Sequence, residues 1–313
     1  MKKTLITLSL ALALAACNNE APAPTPAAEP AASATPAATP AAPVDMWTRY
    51  DEIAAGAQRS DANKARDQYR HPKETLQFFG LANGQNVVEI SPGGGWYTEL
   101  LAPMLKGNGT LTLGIFDPAK IADEGTKGYN QKNNDKLKAK LGGDAANFGE
   151  VRFIETSPSE PSFGAPGSAD LVVTFRNVHN WAMGGNAPAM FKGFFEVLKP
   201  GGTLFVISTS RTQLDPYKGS LWYYRYFQDA ARALSRKFLP ARVLSGIARS
   251  VGLKNARVEK VETTYWTDES LNERGPFSAD WRDGDSLFAF YRDREEVLAR
   301  RLQALEAAIT SGA

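Results

Sequence analysis

Short apolar runs and helix-length stretches alternate through the middle of the chain. The runs are Asn86–Ile90, Thr110–Phe116, Val151–Glu155, Asp170–Phe175 and Thr203–Ser208, and the intervening Tyr97–Leu105 and Met190–Leu198 have helical spacing. Apolar runs of this length, bounded by turn residues, suit strands buried on both faces. Strands alternating with helices predict a parallel sheet covered on both sides. Upstream, Met46–Gln58 predicts a helix, and a charged stretch follows it. His71-Pro72 opens another helix, with Pro72 suited to the first turn.

The second half departs from this alternation. Leu221–Leu234 and Ala241–Val251 predict helices, while Ala256–Trp266 and Ser286–Tyr291 predict strands. Two late strands without a helix between them predict an antiparallel hairpin at the sheet edge. Leu298, Leu302, Leu305 and Ile309 form one apolar face on a final helix, expected to pack on the domain.

The first 43 residues are different. Lys2 and Lys3 precede an apolar run, Leu5–Ala15, too short to span a bilayer. The ending Leu14-Ala15-Ala16-Cys17 resembles a bacterial lipobox, which implies cleavage before Cys17 and acylation of that residue. Cys17 is the only cysteine, so no disulfide or thiolate chemistry is expected of the folded region. Asn18 follows, which resembles outer-membrane sorting and a domain facing the periplasm. Residues 17–43 are almost entirely Ala, Pro, Thr and Glu, an extended tether with polyproline II character. The expected organisation is a signal peptide over 1–16, lipidated linker over 17–43 and one domain over 44–313.

The sharpest local feature is Val88-Glu89-Ile90-Ser91-Pro92-Gly93-Gly94-Gly95-Trp96-Tyr97, placed between a strand and a helix. Glycines there leave backbone amides at a helix start open to a ligand. The spacing fits a dinucleotide fingerprint poorly, because the third glycine position falls on Thr98. It resembles instead the first motif of class I S-adenosyl-L-methionine (SAM)-dependent methyltransferases, with Glu89 as the acid and Ser91, Gly93 and Gly95 in the three small positions. Leu198-Lys199-Pro200-Gly201-Gly202 resembles that fold's turn into the fifth strand, and Pro200-Gly201 suits a type II turn. The string Arg66-Asp67-x-x-Arg70-His71-Pro72, followed by the glycine loop, is similar to a bacterial group of predicted methyltransferases. The resemblance covers about Arg59 to Arg292. It implies an α/β, Rossmann-like, doubly wound and mostly parallel sheet, here with the antiparallel edge hairpin.

It also implies a site. Glu89, Ser91, Gly93, Gly94 and Gly95 are the expected cofactor-binding residues. Ser91 replaces the usual first glycine, a small change provided its φ is negative. Asp117 is the candidate ribose acid, or else the cap of a turn at Asp117-Pro118. Asn177 either touches the cofactor's methionine portion or terminates the fourth strand. His179 is the candidate catalytic base, or else bonds a neighbouring loop. His71 is expected to cap a helix rather than catalyse. Adenine contacts are unassigned, and no metal-ligand cluster is visible.

Charge narrows the partners. Without the two signal-peptide lysines the formal net charge falls from +2 to zero, which gives no argument for nucleic acid. Residues 218–257 carry nine Lys or Arg against one acid, Asp229, among the aromatics Trp222-Tyr223-Tyr224-Arg225-Tyr226-Phe227. An anionic membrane or envelope substrate fits that segment at an exported address better than nucleic acid does, while core aromatics and a solvated basic face remain the default reading. The implied function is methyl transfer from SAM to a small-molecule or envelope acceptor, on a protein held to the membrane by a lipid anchor. The alternative is a non-enzymatic ligand-binding or interaction lipoprotein on the same fold. The oligomeric state is not indicated.

Overall fold

The computed structural model describes residues 45–218, 221–259 and 275–311. The expected signal peptide and linker lie outside them. A 3₁₀ turn, Met46–Arg49, leads into α1 (Tyr50–Ala55), followed by α2 (Asp61–Lys64), α3 (Asp67–Arg70) and α4 (Pro72–Phe78). Next come β1 (Asn86–Ile90), α5 (Thr98–Leu105), β2 (Thr110–Phe116), α6 (Glu124–Gly143), α7 (Ala145–Phe148) and β3 (Val151–Thr156). The alternating half closes with β4 (Ala169–Phe175), α8 (Val178–Met183), α9 (Ala187–Val197) and β5 (Leu198–Ile207).

All five strands are parallel, in the order β3-β2-β1-β4-β5. The chain builds outward from β1 in one direction and from β4 in the other. Such a reversal opens a crevice at the carboxyl ends of the two central strands. This is the expected doubly wound parallel sheet.

Side-chain alternation explains why these runs are strands. Val87 of β1 joins a layer containing Leu100, Leu101, Leu137 and Phe148. Val88 and Ile90 join the opposite layer, with Phe163, Met190, Phe194 and Ala248. Leu171 and Val173 of β4 face the first layer and Val172 the second. Period-two alternation with both faces apolar is what a covered sheet requires. Each fully buried side chain of this size contributes roughly 1.5–3 kcal/mol. The expected turn at Pro200-Gly201 is instead an irregularity inside β5, where the register against β4 shifts between Ala169 and Leu171 and Gly201 has φ +85°.

Helix α6 has no counterpart among the expected elements, because it buries only Asn134, Leu137 and Leu141 over twenty residues, too few for an apolar stripe. Another expectation needs correction: the antiparallel edge hairpin is not seen among the described residues. Ser286–Tyr291 is a turn followed by a 3₁₀ segment, Phe288–Tyr291, and Ala256–Glu259 carries no strand. The rest of the other expected strand lies outside the described residues. Phe288 and Tyr291 are three positions apart, so a strand would turn them to opposite faces. Here both pack on Phe227, with ring centroids 5.0 and 6.1 Å away.

The C-terminal part is helical. A 3₁₀ segment, Trp222–Phe227, precedes α10 (Gln228–Ser235), α11 (Ala241–Ser250) and α12 (Ala279–Gly284), and the described chain ends in α13 (Glu295–Ser311). Tyr223, Tyr224 and Phe227 are buried with Leu287, Phe288, Tyr291 and Leu305, and Leu298, Leu302 and Ile309 pack against them. The aromatic run is core here, and the apolar face of the last helix packs on the domain.

Candidate functional site

The glycine loop leaves β1 and enters α5. The Ser91 amide donates to Gly114 O of β2 at 2.8 Å, and the Gly95 amide donates to Pro92 O at 3.0 Å. Ser91, Gly93 and Gly95 have φ of +52°, +58° and +80°. The condition that made Ser91 a mild replacement for glycine therefore fails. It adopts the left-handed region, which costs a side-chain-bearing residue roughly 1–2 kcal/mol. Its Oγ is also buried without a hydrogen-bond partner.

The three glycines do different work. A Cβ on Gly93 or Gly94 would meet nothing within 4 Å. A Cβ on Gly95 would lie 2.5 Å from Leu137 Cδ1 of α6. Gly95 lets the helix pack, whereas Gly93 and Gly94 face open space above the loop. The open space over those two glycines leaves room for a bound group beside the loop.

Glu89 ends β1 fully enclosed. Thr98 Oγ1 donates to its Oε2 at 2.7 Å, which ties the strand to the first turn of α5. Burial pushes the Glu89 carboxyl up to about 7, partly offset by the Thr98 hydrogen bond. Asn177 follows β4, and its Nδ2 donates to Ile90 O at 3.2 Å, Ser91 O at 3.0 Å and Thr174 Oγ1 at 3.1 Å. Its amide pins the loop to the neighbouring strand. Asp117 stands at the carboxyl end of β2, where the ribose acid was expected. Its Oδ1 accepts from the Ala119 amide at 2.9 Å and its Oδ2 is 3.7 Å from Lys120 Nζ. The turn-capping role thus holds in this structure.

His179 lies in α8, half-buried and stacked on Phe238 with ring centroids 4.7 Å apart. Burial lowers its proton affinity, and the charges of Arg176 and Lys237 lower it further. A neutral imidazole is the form able to accept a proton. His71 is removed from these groups in role. Its backbone, at φ +43°, turns the corner between α3 and α4, and its side chain makes no capping bond.

Another set of site residues came only with the structure. Trp96 lies between Arg59 and Arg70, whose guanidinium carbons are 5.2 and 4.5 Å from its ring centroid. Its indole N–H donates to Asn63 O at 3.0 Å. Arg59 donates two hydrogen bonds to Asp67, at 2.6 and 2.7 Å. Glu99, 2% exposed at its side chain, accepts from Asn63 Nδ2 at 2.8 and 3.0 Å, pairs with Lys140 and lies 3.7 Å from Arg59 Nε. The segment 59–70 thus clamps the helix side of the loop. Its trace in the sequence was the Arg66-Asp67-x-x-Arg70 string, whose partners Asn63, Trp96, Glu99 and Lys140 are scattered. On the other side, Tyr97 stacks on Phe175 with centroids 3.5 Å apart.

Residues 1–18 match the family model of the prokaryotic membrane lipoprotein lipid attachment site. No described helix is long and apolar enough to cross a membrane. Comparison with curated proteins finds no match. Among solved structures, a SAM-dependent methyltransferase from Aquifex aeolicus is 17% identical, covering 63% of this chain and 87% of that one, with a TM-score of 0.45. The YcgJ protein of Bacillus subtilis is 13% identical, covering 68% and 80%, with a TM-score of 0.46. CrArsM, an arsenic(III) SAM methyltransferase from Chlamydomonas reinhardtii, is 18% identical over 61% and 59%, with a TM-score of 0.42.

Proposed function

We propose that the crevice above Ser91–Gly95 binds SAM and that the domain transfers a methyl group to a small-molecule or envelope acceptor. The observation that supports this reading is the glycine loop between β1 and α5 at the carboxyl end of the central strands, with open space over Gly93 and Gly94. When bound, SAM supplies an electrophilic methyl group whose leaving group is a neutral thioether. The chain's tasks are then to bind, align and take up a proton. Backbone groups of Ser91–Gly95 hold the ligand, Glu89 and Asn177 keep the loop in shape, and Asp117 exchanges its cap for the ribose hydroxyls. His179, poised neutral, receives the acceptor's proton.

The test is a calorimetric titration of the full chain with SAM. Gly93→Val should abolish binding while circular dichroism stays unchanged. Asp117→Ala should weaken binding about ten- to a hundredfold through loss of roughly 1.5–3 kcal/mol of charge-assisted hydrogen bonding. Unchanged affinity in Gly93→Val removes the loop as the site.

The lipid attachment match favours a second reading, because SAM is made in the cytoplasm and this signal directs a domain outward. On that reading the crevice holds a different ligand and the protein is a binding lipoprotein. Absence of any SAM affinity in the wild-type chain would select it. For either reading we propose acylation of Cys17 and anchoring in the envelope, at the outer membrane facing the periplasm. In cell fractionation, Cys17→Ser should leave the membrane fraction. Retention there at the wild-type size would refute the anchor.

A further inference from the structure

Charge is spread unevenly along the folded chain. Residues 230–258 hold seven Lys or Arg and no acid. Without Lys2 and Lys3 the chain is formally neutral, so its remainder carries a matching net charge of −7. Arg232, Arg236, Lys237, Arg242, Arg249 and Lys254 are exposed and make no ion pair among the described residues. The seventh, Arg257, pairs with Glu259 at 2.8 Å.

Helix α11 gathers part of this charge on one face. Its Leu244, Ile247 and Ala248 turn inward against the layer that holds Phe191 and Phe194. Arg242, Gly246 and Arg249 stand at i, i+4 and i+7, so they share the outward face. An aromatic ring borders that face. Phe195 of α9 is 44% exposed, and a Cβ on Gly252 would lie 2.9 Å from its Cζ. The ring therefore rests on the turn that links Arg249 to Lys254. The neighbouring acids are already matched: Glu196, beside Phe195, is 3.1 Å from Lys192 Nζ, and Asp229 is 3.1 Å from Arg301. The face is cationic, partly apolar and without counter-charge.

We propose that the outward face of α11, with Arg242, Arg249, Lys254 and Phe195, docks on an anionic phospholipid surface. The cations meet headgroup phosphates, and the Phe195 ring enters the boundary between headgroups and acyl chains. A soluble acidic polymer would answer the charges alone and leave Phe195 in water. The match of residues 1–18 to a lipid attachment site favours the bilayer as the occupant. A domain tethered to its own membrane meets it at high effective concentration, so a weak contact suffices to orient it. The inference extends the anchor reading: the lipid on Cys17 holds the chain at the bilayer, and this face sets which side of the domain turns toward it.

The full chain with Cys17→Ser lacks the anchor and has no thiol, so Gly246→Cys in that background takes a single environment-sensitive dye. A Cβ at Gly246 meets nothing within 4 Å, so the label stands on the outward face without disturbing the packing. The labelled chain is titrated with vesicles of phosphatidylcholine alone and of equimolar phosphatidylcholine and phosphatidylglycerol. The dye should shift to the blue on the mixed vesicles only, and the shift should fade as salt rises. Arg242→Gln, Arg249→Gln and Lys254→Gln combined should weaken the response about a hundredfold, at about fivefold per charge. Phe195→Ser should weaken it about tenfold, with circular dichroism unchanged in both variants. The leader is common to all these chains, so differences between them report the face. No shift on mixed vesicles, or an equal shift in the triple variant, overturns the docking surface. An equal response to soluble polyphosphate, indifferent to Phe195→Ser, also overturns it and marks a surface for acidic polymers. Because the anchor is absent from this assay, its failure leaves the Cys17 fractionation test standing, and the reverse holds too.

Discussion

Arg59 and Arg66 lie on one short segment ahead of the first strand, yet they meet opposite surroundings. Arg59 is fully enclosed, bonded twice to Asp67 and close to Glu99, which in turn holds Asn63 and Lys140. Arg66 is exposed, and no ion pair of its guanidinium is found among the described residues. The same segment thus has a closed ionic network at one arginine and an open, solvent-facing charge at the other. The closed side fits a structural brace, because a buried charge is tolerable only when its partners are already in the protein. The open side leaves its charge to water.

The contrast predicts unequal losses of stability. Asp67→Ala leaves Arg59 buried with its main partner gone, and should destabilise the domain by about 3–5 kcal/mol in chemical denaturation. Arg66→Gln removes a solvated charge and should change stability by no more than about 0.5 kcal/mol. Equal losses in the two variants would erase the distinction between the sides.

His179 is an intermediate case, half-buried and beside like charges. Its imidazole should titrate below 6.5 by NMR, and Arg176→Gln should move that value upward, since the Arg176 charge is one cause of the depression. With an acceptor in hand, His179→Asn should lower turnover by roughly a hundredfold with SAM affinity nearly intact. Loss of SAM affinity in parallel would make His179 a support for the loop instead.

A pH-dependent effect concerns Glu89, which belongs to neither side. Its carboxyl is raised from 4.5 to about 7 by burial. The folded state therefore binds more protons than the unfolded chain between those values. Its contribution is fully present below about 4.5 and is lost as pH rises through about 7. Glu89→Gln keeps an acceptor for Thr98 and removes the titration. The variant should gain roughly 1–3 kcal/mol relative to wild type at pH 8 compared with pH 5. A pH-independent difference between the two proteins would show that Glu89 does not titrate in this range.

Much of this was already legible along the chain. The five strands, the loop between β1 and α5 and the inward face of the last helix follow from local chemistry. A run apolar on both faces must be covered twice, and a positive φ in a turn calls for glycine. The left-handed backbone of Ser91 and the 3₁₀ form of Phe288–Tyr291 were decided by tertiary contacts, because short segments satisfy more than one local pattern until a neighbour selects among them. The pairing of Arg59 with Asp67 and Glu99, and the stacking of Phe79 on Phe205, likewise needed the fold. Charge neighbours are set by distance in space, and the sheet brings together residues more than a hundred positions apart.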